Sequence, residues 1–148
     1  MKIGIISDHR GYHLKKEIIE NMKEYNLVDL GANNTDKNTV DYPDYAFLLG
    51  KNINEKTVDY GVAICGSGIG ICIALNKVKG IRCAKVSSVE EVKETMEHND
   101  PNAISFSADI KLNMAIEFIK TMVETPFSNE VRHKRRVDKI KQYENGDL

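Results

Sequence analysis

Short continuous apolar runs alternate along this chain with longer stretches whose apolar residues recur every three to four positions. Residues 3–7 (IGIIS), 27–30, 60–65 (YGVAIC), 81–86 and 103–107 have the length and content of buried strands. Residues 12–25 place Leu14, Ile18, Ile19 and Met22 on one stripe, which predicts a helix with one buried face. Further helices are predicted at 42–54, from the glycine cluster to about residue 76, from Ser88 as N-cap to about 98, and at 110–124. Met114, Phe118, Ile119 and Met122 are expected to face inward on the helix at 110–124, which Pro126 ends. Asp41 and Pro43 open the helix at 42–54, Pro being tolerated in a first turn. A basic C-terminal helix runs from Ser128 to about 143, and residues 32–39, rich in Asn, Asp and Thr, read as a mobile polar loop. Five strand–helix pairs plus one helix predict an α/β fold: a doubly wound, five-stranded parallel sheet with helices on both faces, in a single domain over 1–148.

Composition narrows the function. Of 148 residues, 41% are apolar, and 21 basic side chains balance 22 acidic ones to a net charge of −1, which excludes a basic nucleic-acid coat and an acidic disordered tail. No apolar run reaches membrane-spanning length, so no membrane partner is expected. The apolar start is interrupted at once by Asp8, His9 and Arg10, too early for a signal-peptide core, and the chain reads as cytoplasmic. Cys65, Cys72 and Cys83 are odd in number and form no C-x-x-C, and the four histidines are scattered. Neither a disulfide framework nor a metal site is expected.

In doubly wound sheets, ligands bind outside the carboxyl ends of the strands. Two such ends carry reactive groups, Ser7-Asp8-His9-Arg10-Gly11 and Cys65-Gly66-Ser67-Gly68-Ile69-Gly70. Three glycines before a helix let backbone N–H groups converge on an anion, assisted by the helix dipole. A thiol at the rim of such a nest is suited to act as base or nucleophile, and Ser67 adds a hydroxyl. The same loop also reads as a plain turn. A dinucleotide site fits poorly, because the loop follows the third strand and no acid ends the next one. Asp8 and His9 suit acid–base work or hydroxyl binding, or a helix cap. His98-Asn99-Asp100 enters the fifth strand, so it belongs at the opposite edge of the sheet from Cys65. His98 would therefore join the Cys65 site most simply from a second subunit. Arg132 and Arg136 share a helix face and suit either a phosphate clamp or a solvated surface. No aromatic residues are interleaved with that basic run, which argues against a nucleic-acid partner.

Six segments in order resemble type B ribose 5-phosphate isomerases and the related galactose 6-phosphate isomerase subunits. They are S-D-H-R-G at 7–11, D-Y-P-D at 41–44 and I-C-G-S-G-I-G-I at 64–71, then A-L-N-K-V-K-G-I-R at 74–82, E-H-N-D-P-N at 97–102 and R-H-K-R-R-V at 132–137. The resemblance covers nearly the whole chain. It implies a Rossmann-like sheet with a C-terminal helix, self-association with an active site shared between subunits, and aldose–ketose interconversion of a sugar phosphate without cofactor or metal.

By the same resemblance, Cys65 is the base at carbon 2 and Ser67 moves a proton between the oxygens on carbons 1 and 2. The N–H groups of Gly66, Gly68, Ile69 and Gly70 form the anion hole for a cis-enediolate. His98 opens the furanose ring, Asp8 binds the ring hydroxyls and assists, and Asn99 and Tyr42 contact the sugar. His9, Arg132 and Arg136 bind the phosphate, with His133 a further candidate ligand. One departure stands out. The family commonly has an Arg after the fifth strand, where this chain reads Phe106-Ser107-Ala108-Asp109. That charge reversal bears on the choice between ribose 5-phosphate and a hexose 6-phosphate. A non-catalytic phosphate-binding module on the same fold is the remaining alternative.

Overall fold

A computed structural model describes residues 1–33 and 39–148. The loop expected at 32–39 falls mostly outside the described residues. The strands are β1 (Lys2–Ser7), β2 (Asn26–Asp29), β3 (Tyr60–Cys65), β4 (Cys83–Lys85) and β5 (Ala103–Ser107). The helices are α1 (Tyr12–Asn21), α2 (Tyr42–Asn54), α3 (Ile69–Asn76), α4 (Val89–Asn99), α5 (Leu112–Glu124) and α6 (Val131–Glu144). The five strands form one sheet in the order β2-β1-β3-β5-β4, and every pair is parallel.

The continuous apolar strands follow from burial on both faces. Ile3, Ile5, Val62, Ile64, Ile104 and Phe106 pack on one side against Ile18, Met96 and Phe118 of α1, α4 and α5. Ile6, Ala63, Cys65 and Ala103 pack on the other against Leu49, Ile53, Ile71 and Leu75 of α2 and α3. Helix α6 lies outside these two layers, against α4. Among the described residues, no helix is long and apolar enough to cross a membrane.

Several boundaries differ from those expected. Helix α1 stops at Asn21 rather than 25, because the Met22 carbonyl accepts the Tyr25 N–H at 3.0 Å and turns the chain toward β2. Strand β4 is three residues long rather than six; it is the edge strand and pairs only with β5. Helix α5 starts at Leu112, and Met114 is 44% exposed, not inward. The buried stripe is Ala115, Phe118, Ile119 and Met122, and Met114 falls off that face. Helix α6 starts at Val131, because the Ser128 hydroxyl holds an extended turn by accepting the Glu130 N–H at 3.2 Å. Ser88 does cap α4, accepting the Glu91 N–H at 3.1 Å.

One buried group has no precedent in the apolar pattern. Lys15, on the inner face of α1, is fully buried. Its Nζ donates to Asp29 Oδ1 at 2.6 Å and to the Ala32 carbonyl at 2.7 Å, with Asn33 Oδ1 at 3.4 Å. Burial lowers the ammonium pKa, and the hydrogen bond and charge of Asp29 oppose that shift. The contact ties α1 to the segment leaving β2.

Candidate active site

The strand order reverses between β1 and β3, and the ends of these two strands open a crevice. Cys65 ends β3, and the chain turns through Gly66-Ser67-Gly68 into α3. Gly68 has φ +79°, and a Cβ there would stand 2.6 Å from the Phe106 carbonyl carbon, so the position admits only glycine. Two serines of β5 hold the loop from below. Ser105 Oγ donates to the Gly68 carbonyl at 2.8 Å and Ser107 Oγ donates to the Gly66 carbonyl at 2.7 Å. In a trans peptide the N–H points opposite the carbonyl, so the N–H groups of Ser67 and Ile69 face away from β5. The Ile69 N–H donates to Ser67 Oγ at 3.1 Å, and the Gly68 N–H donates to Cys65 Sγ at 3.2 Å. The nest thus exists with the thiol and hydroxyl occupying its donors.

A cleft of about 420 Å³ lies over this loop, lined by Asp8, Arg10, Tyr42, Cys65, Gly66, Ser67, Gly70 and Asp109. Asp8 is buried, and its Oδ1 accepts the N–H groups of Arg10 at 2.9 Å and Gly11 at 3.1 Å, which sets the turn into α1. His9 Nδ1 accepts the Val40 N–H at 3.2 Å, fixing the chain as it approaches α2. Tyr42, at the start of α2, lays its ring against Gly70; a Cβ at Gly70 would stand 2.6 Å from Tyr42 Cζ.

The remaining expected residues gather elsewhere. His98 lies in the last turn of α4, and its ring lies against that of His133 on α6, with centroids 4.1 Å apart. His133 is buried, and its Nδ1 lies 2.9 Å from Ser128 Oγ. Burial, then the charges of His98, Arg132 and Arg136, hold its pKa below the ordinary 6.5, and Glu130 opposes them. Arg132 is exposed and pairs with Glu130 at 3.1 Å, and Arg136 is exposed. Asn99 Oδ1 accepts from Thr95 Oγ1 at 3.0 Å.

The register measures the separation of the two groups. Cys65 pairs with Ser107 at the far end of β5, whereas His98 and Asn99 precede Ala103 at its start. That is about 13 Å along the strand at about 3.3 Å per residue. None of His98, Asn99, Arg132, His133 and Arg136 lines the Cys65 cleft.

Three side chains at this site escaped the sequence reading. Ser105 and Ser107 orient the nest, and their two-residue spacing on the strand was the available signal. Arg10 had no assigned role and lines the cleft. Cys72 and Cys83 are partly buried. Cys72 Sγ lies 3.4 Å from the Cys83 carbonyl, and the neighbouring Cys83 side chain pulls the Cys72 thiol down to about 6, while Cys72 and burial push Cys83 up. Among the described residues, no group of three or more His, Cys, Asp or Glu gathers to hold a metal.

A thiol and a hydroxyl set in an anion nest, at the switch point of a parallel sheet, define a class of α/β protein equipped to stabilise a negatively charged oxygen. Residues 3–140 match the Ribose/Galactose Isomerase family, and the chain belongs to it. Ribose-5-phosphate isomerase B of Mycobacterium tuberculosis strain H37Rv is 34% identical over 147 residues, covering 97% of this chain and 90% of the relative. The structure of Clostridium thermocellum ribose-5-phosphate isomerase B superposes with a TM-score of 0.92 at 37% identity, covering 100% of both chains. Ribose-5-phosphate isomerase B from Mycoplasma genitalium, solved with bound ribulose-5-phosphate, superposes with a TM-score of 0.88 at 39% identity, covering 97% of this chain and 96% of that one.

Proposed function

We propose that the protein interconverts ribose 5-phosphate and ribulose 5-phosphate through a cis-enediolate, with Cys65 as the base and no cofactor. The observation that carries this reading is the contact of Cys65 Sγ with the Gly68 N–H at 3.2 Å, at the wall of a cleft that also holds Ser67. The ribulose-5-phosphate bound to the Mycoplasma genitalium relative supplies the ligand class.

His98, assisted by Asp8, moves the ring-opening proton. The Cys65 thiolate takes the proton from carbon 2, the electron pair of that C–H bond forms the double bond between carbons 1 and 2, and the carbonyl π pair moves onto oxygen. Amide donors of the nest hold the resulting charge; losing one such donor typically costs about 10²–10³-fold in rate. Ser67 carries a proton between the oxygens on carbons 1 and 2, and Cys65 returns its proton to carbon 1. Tyr42 and Asn99 contact the sugar, and His9, Arg132 and Arg136 hold the phosphate. His133 acts behind His98, which it stacks on.

His98 and Cys65 lie at opposite ends of β5, so we assign them to one site formed by two copies of the chain. Helix α3 supports this arrangement. It is apolar nearly all round, yet Ile69 and Ile73, four residues apart beside the nest, are 54% and 57% exposed. Such a helix is ordinarily covered. A six-carbon phosphate is the second reading, favoured by Asp109, an exposed carboxylate in the cleft able to take an additional hydroxyl.

The test is proton–deuterium exchange at carbon 2, followed by NMR in heavy water with chelator-treated protein. Exchange in ribose 5-phosphate with ribulose 5-phosphate appearing is the expected outcome. Exchange confined to a hexose 6-phosphate transfers the assignment to the second reading, and exchange in neither overturns both.

A further inference from the structure

We propose that Arg10 is the cleft's own cationic ligand for the phosphate of the substrate, supplied by the same chain that supplies Cys65. This rests on the sugar-phosphate reading above and adds a residue to which that reading gave no role. The first support is position. The Arg10 N–H is held by Asp8 Oδ1 at 2.9 Å, at the entrance to α1. From there the side chain reaches the Cys65 loop and lies on Gly66. A Cβ at Gly66 would stand 2.5 Å from Arg10 Nη1 and 2.9 Å from Cζ. The bare glycine backbone is what lets the guanidinium settle there, beside the loop that carries Cys65 and Ser67.

The second support is charge. The described residues lining the cleft include two carboxylates, Asp8 and Asp109, and among those described residues Arg10 is the single cation. A phosphate dianion entering that space meets repulsion from both acids and needs a cation within the same walls. Arg132 and Arg136 of the same chain do not line it; in the two-copy site they reach the phosphate from the other chain, so Arg10 is the cation that the Cys65 chain itself supplies.

The third support is that Arg10 is uncommitted. Among the described residues its guanidinium has no ion pair and no side-chain hydrogen bond, and the side chain is exposed. Arg82 and Arg132, by contrast, are engaged, with Asp100 at 3.3 Å and with Glu130 at 3.1 Å. A planar fork of donors resting on a peptide surface and lacking an internal acceptor is arranged for bidentate capture of a phosphate. Its contact with Gly66 limits the freedom it would otherwise lose on binding.

The experiment compares Arg10→Ala, Arg10→Lys and, as a charge-matched control, Lys16→Ala on the exposed face of α1. Initial rates are measured on ribose 5-phosphate, and binding of inorganic phosphate to each protein is measured by calorimetry. Arg10→Ala should raise KM roughly 10- to 100-fold while kcat changes less than about threefold. It should weaken inorganic phosphate in parallel, Arg10→Lys should lose less, and Lys16→Ala should change neither. Unchanged KM and phosphate binding in Arg10→Ala would reduce Arg10 to packing on Gly66 and overturn the proposal. A fall in kcat at constant KM would overturn it too, by moving the contact to the reacting oxygens. An equal KM rise in Lys16→Ala would replace the contact with a diffuse field. Calorimetry separates this proposal from the reaction itself. If the wild-type protein turns over no sugar phosphate, loss of phosphate binding in Arg10→Ala still supports the anion site, and its retention still removes it.

Discussion

The two ends of the sheet carry chemistry built in different ways. At the carboxyl end of β3 the working groups are mostly backbone, contributed by one contiguous loop and oriented by Ser105 and Ser107 beneath it. At the start of β5 they are side chains from two helices distant in sequence, brought together as His98 stacks on the buried His133. The first region is complete within one chain as an anion hole and lacks a ring-opening imidazole. The second has two imidazoles and two nearby arginines and lacks a nest. The difference teaches that neither region alone gathers every group the proposed reaction calls on, which is why we assign the site to two copies of the chain.

The sharpest way to break this comparison is to disable each region in a separate chain. Cys65→Ala should lower turnover of ribose 5-phosphate by about 10³-fold or more with unchanged melting temperature, since the buried thiol is small and its loss leaves little cavity. His98→Ala should also be severely impaired. Dissociating and reassociating an equal mixture of the two should restore about a quarter of wild-type activity, because in mixed dimers one of two shared sites is intact. No recovery on mixing would place both residues' work within one chain and remove the two-copy site.

A second, smaller effect concerns how the nest end is held. Lys15→Met removes three donor contacts and leaves Asp29 and the Ala32 carbonyl without their buried partner. We expect a loss of about 2–3 kcal/mol, read by urea denaturation. A loss below about 0.5 kcal/mol would mean that the segment after β2 does not depend on this staple.

The smallest effect lies in the imidazole pair. His133 should titrate below 6.5, chiefly through burial and then through the charge of His98. Its folded pKa is depressed, so the unfolded chain takes up the proton first as pH falls. Stability should therefore begin to drop below about pH 6.5 and level off beneath the folded pKa of His133. His98→Ala should raise the His133 midpoint only part of the way, because burial remains. Two-dimensional NMR of the imidazole protons reads both values, and a His133 midpoint at or above 6.5 contradicts the placement.

Much of this was legible along the chain. Continuous apolar strands imply a sheet covered on both faces, and the glycine spacing at 66–70 implies a backbone anion nest, because both depend on local steric and solvation rules. The opposite placement of His98 and Cys65 also follows from sequence order, since in a parallel sheet every helix returns the chain to the starting end of the next strand. What escaped depended on neighbours far away in sequence. Met114 reads as part of an apolar stripe, and only the packing of α5 on the sheet puts it outside. Lys15 reads as a surface lysine, and only Asp29 and Ala32, folded against it, permit its burial.

By itself, then, the sequence determined the alternation of strand and helix, the nest, and the identity of its thiol and hydroxyl, because these are consequences of residue type and short-range spacing. Tertiary structure alone decided that β5 rather than β4 lies beside β3, which brings Ser105 and Ser107 under the nest. It also decided that Arg10 settles on Gly66 and that His133 is buried behind His98. Those outcomes rest on which surfaces exclude water together, and no single stretch of chain contains both surfaces.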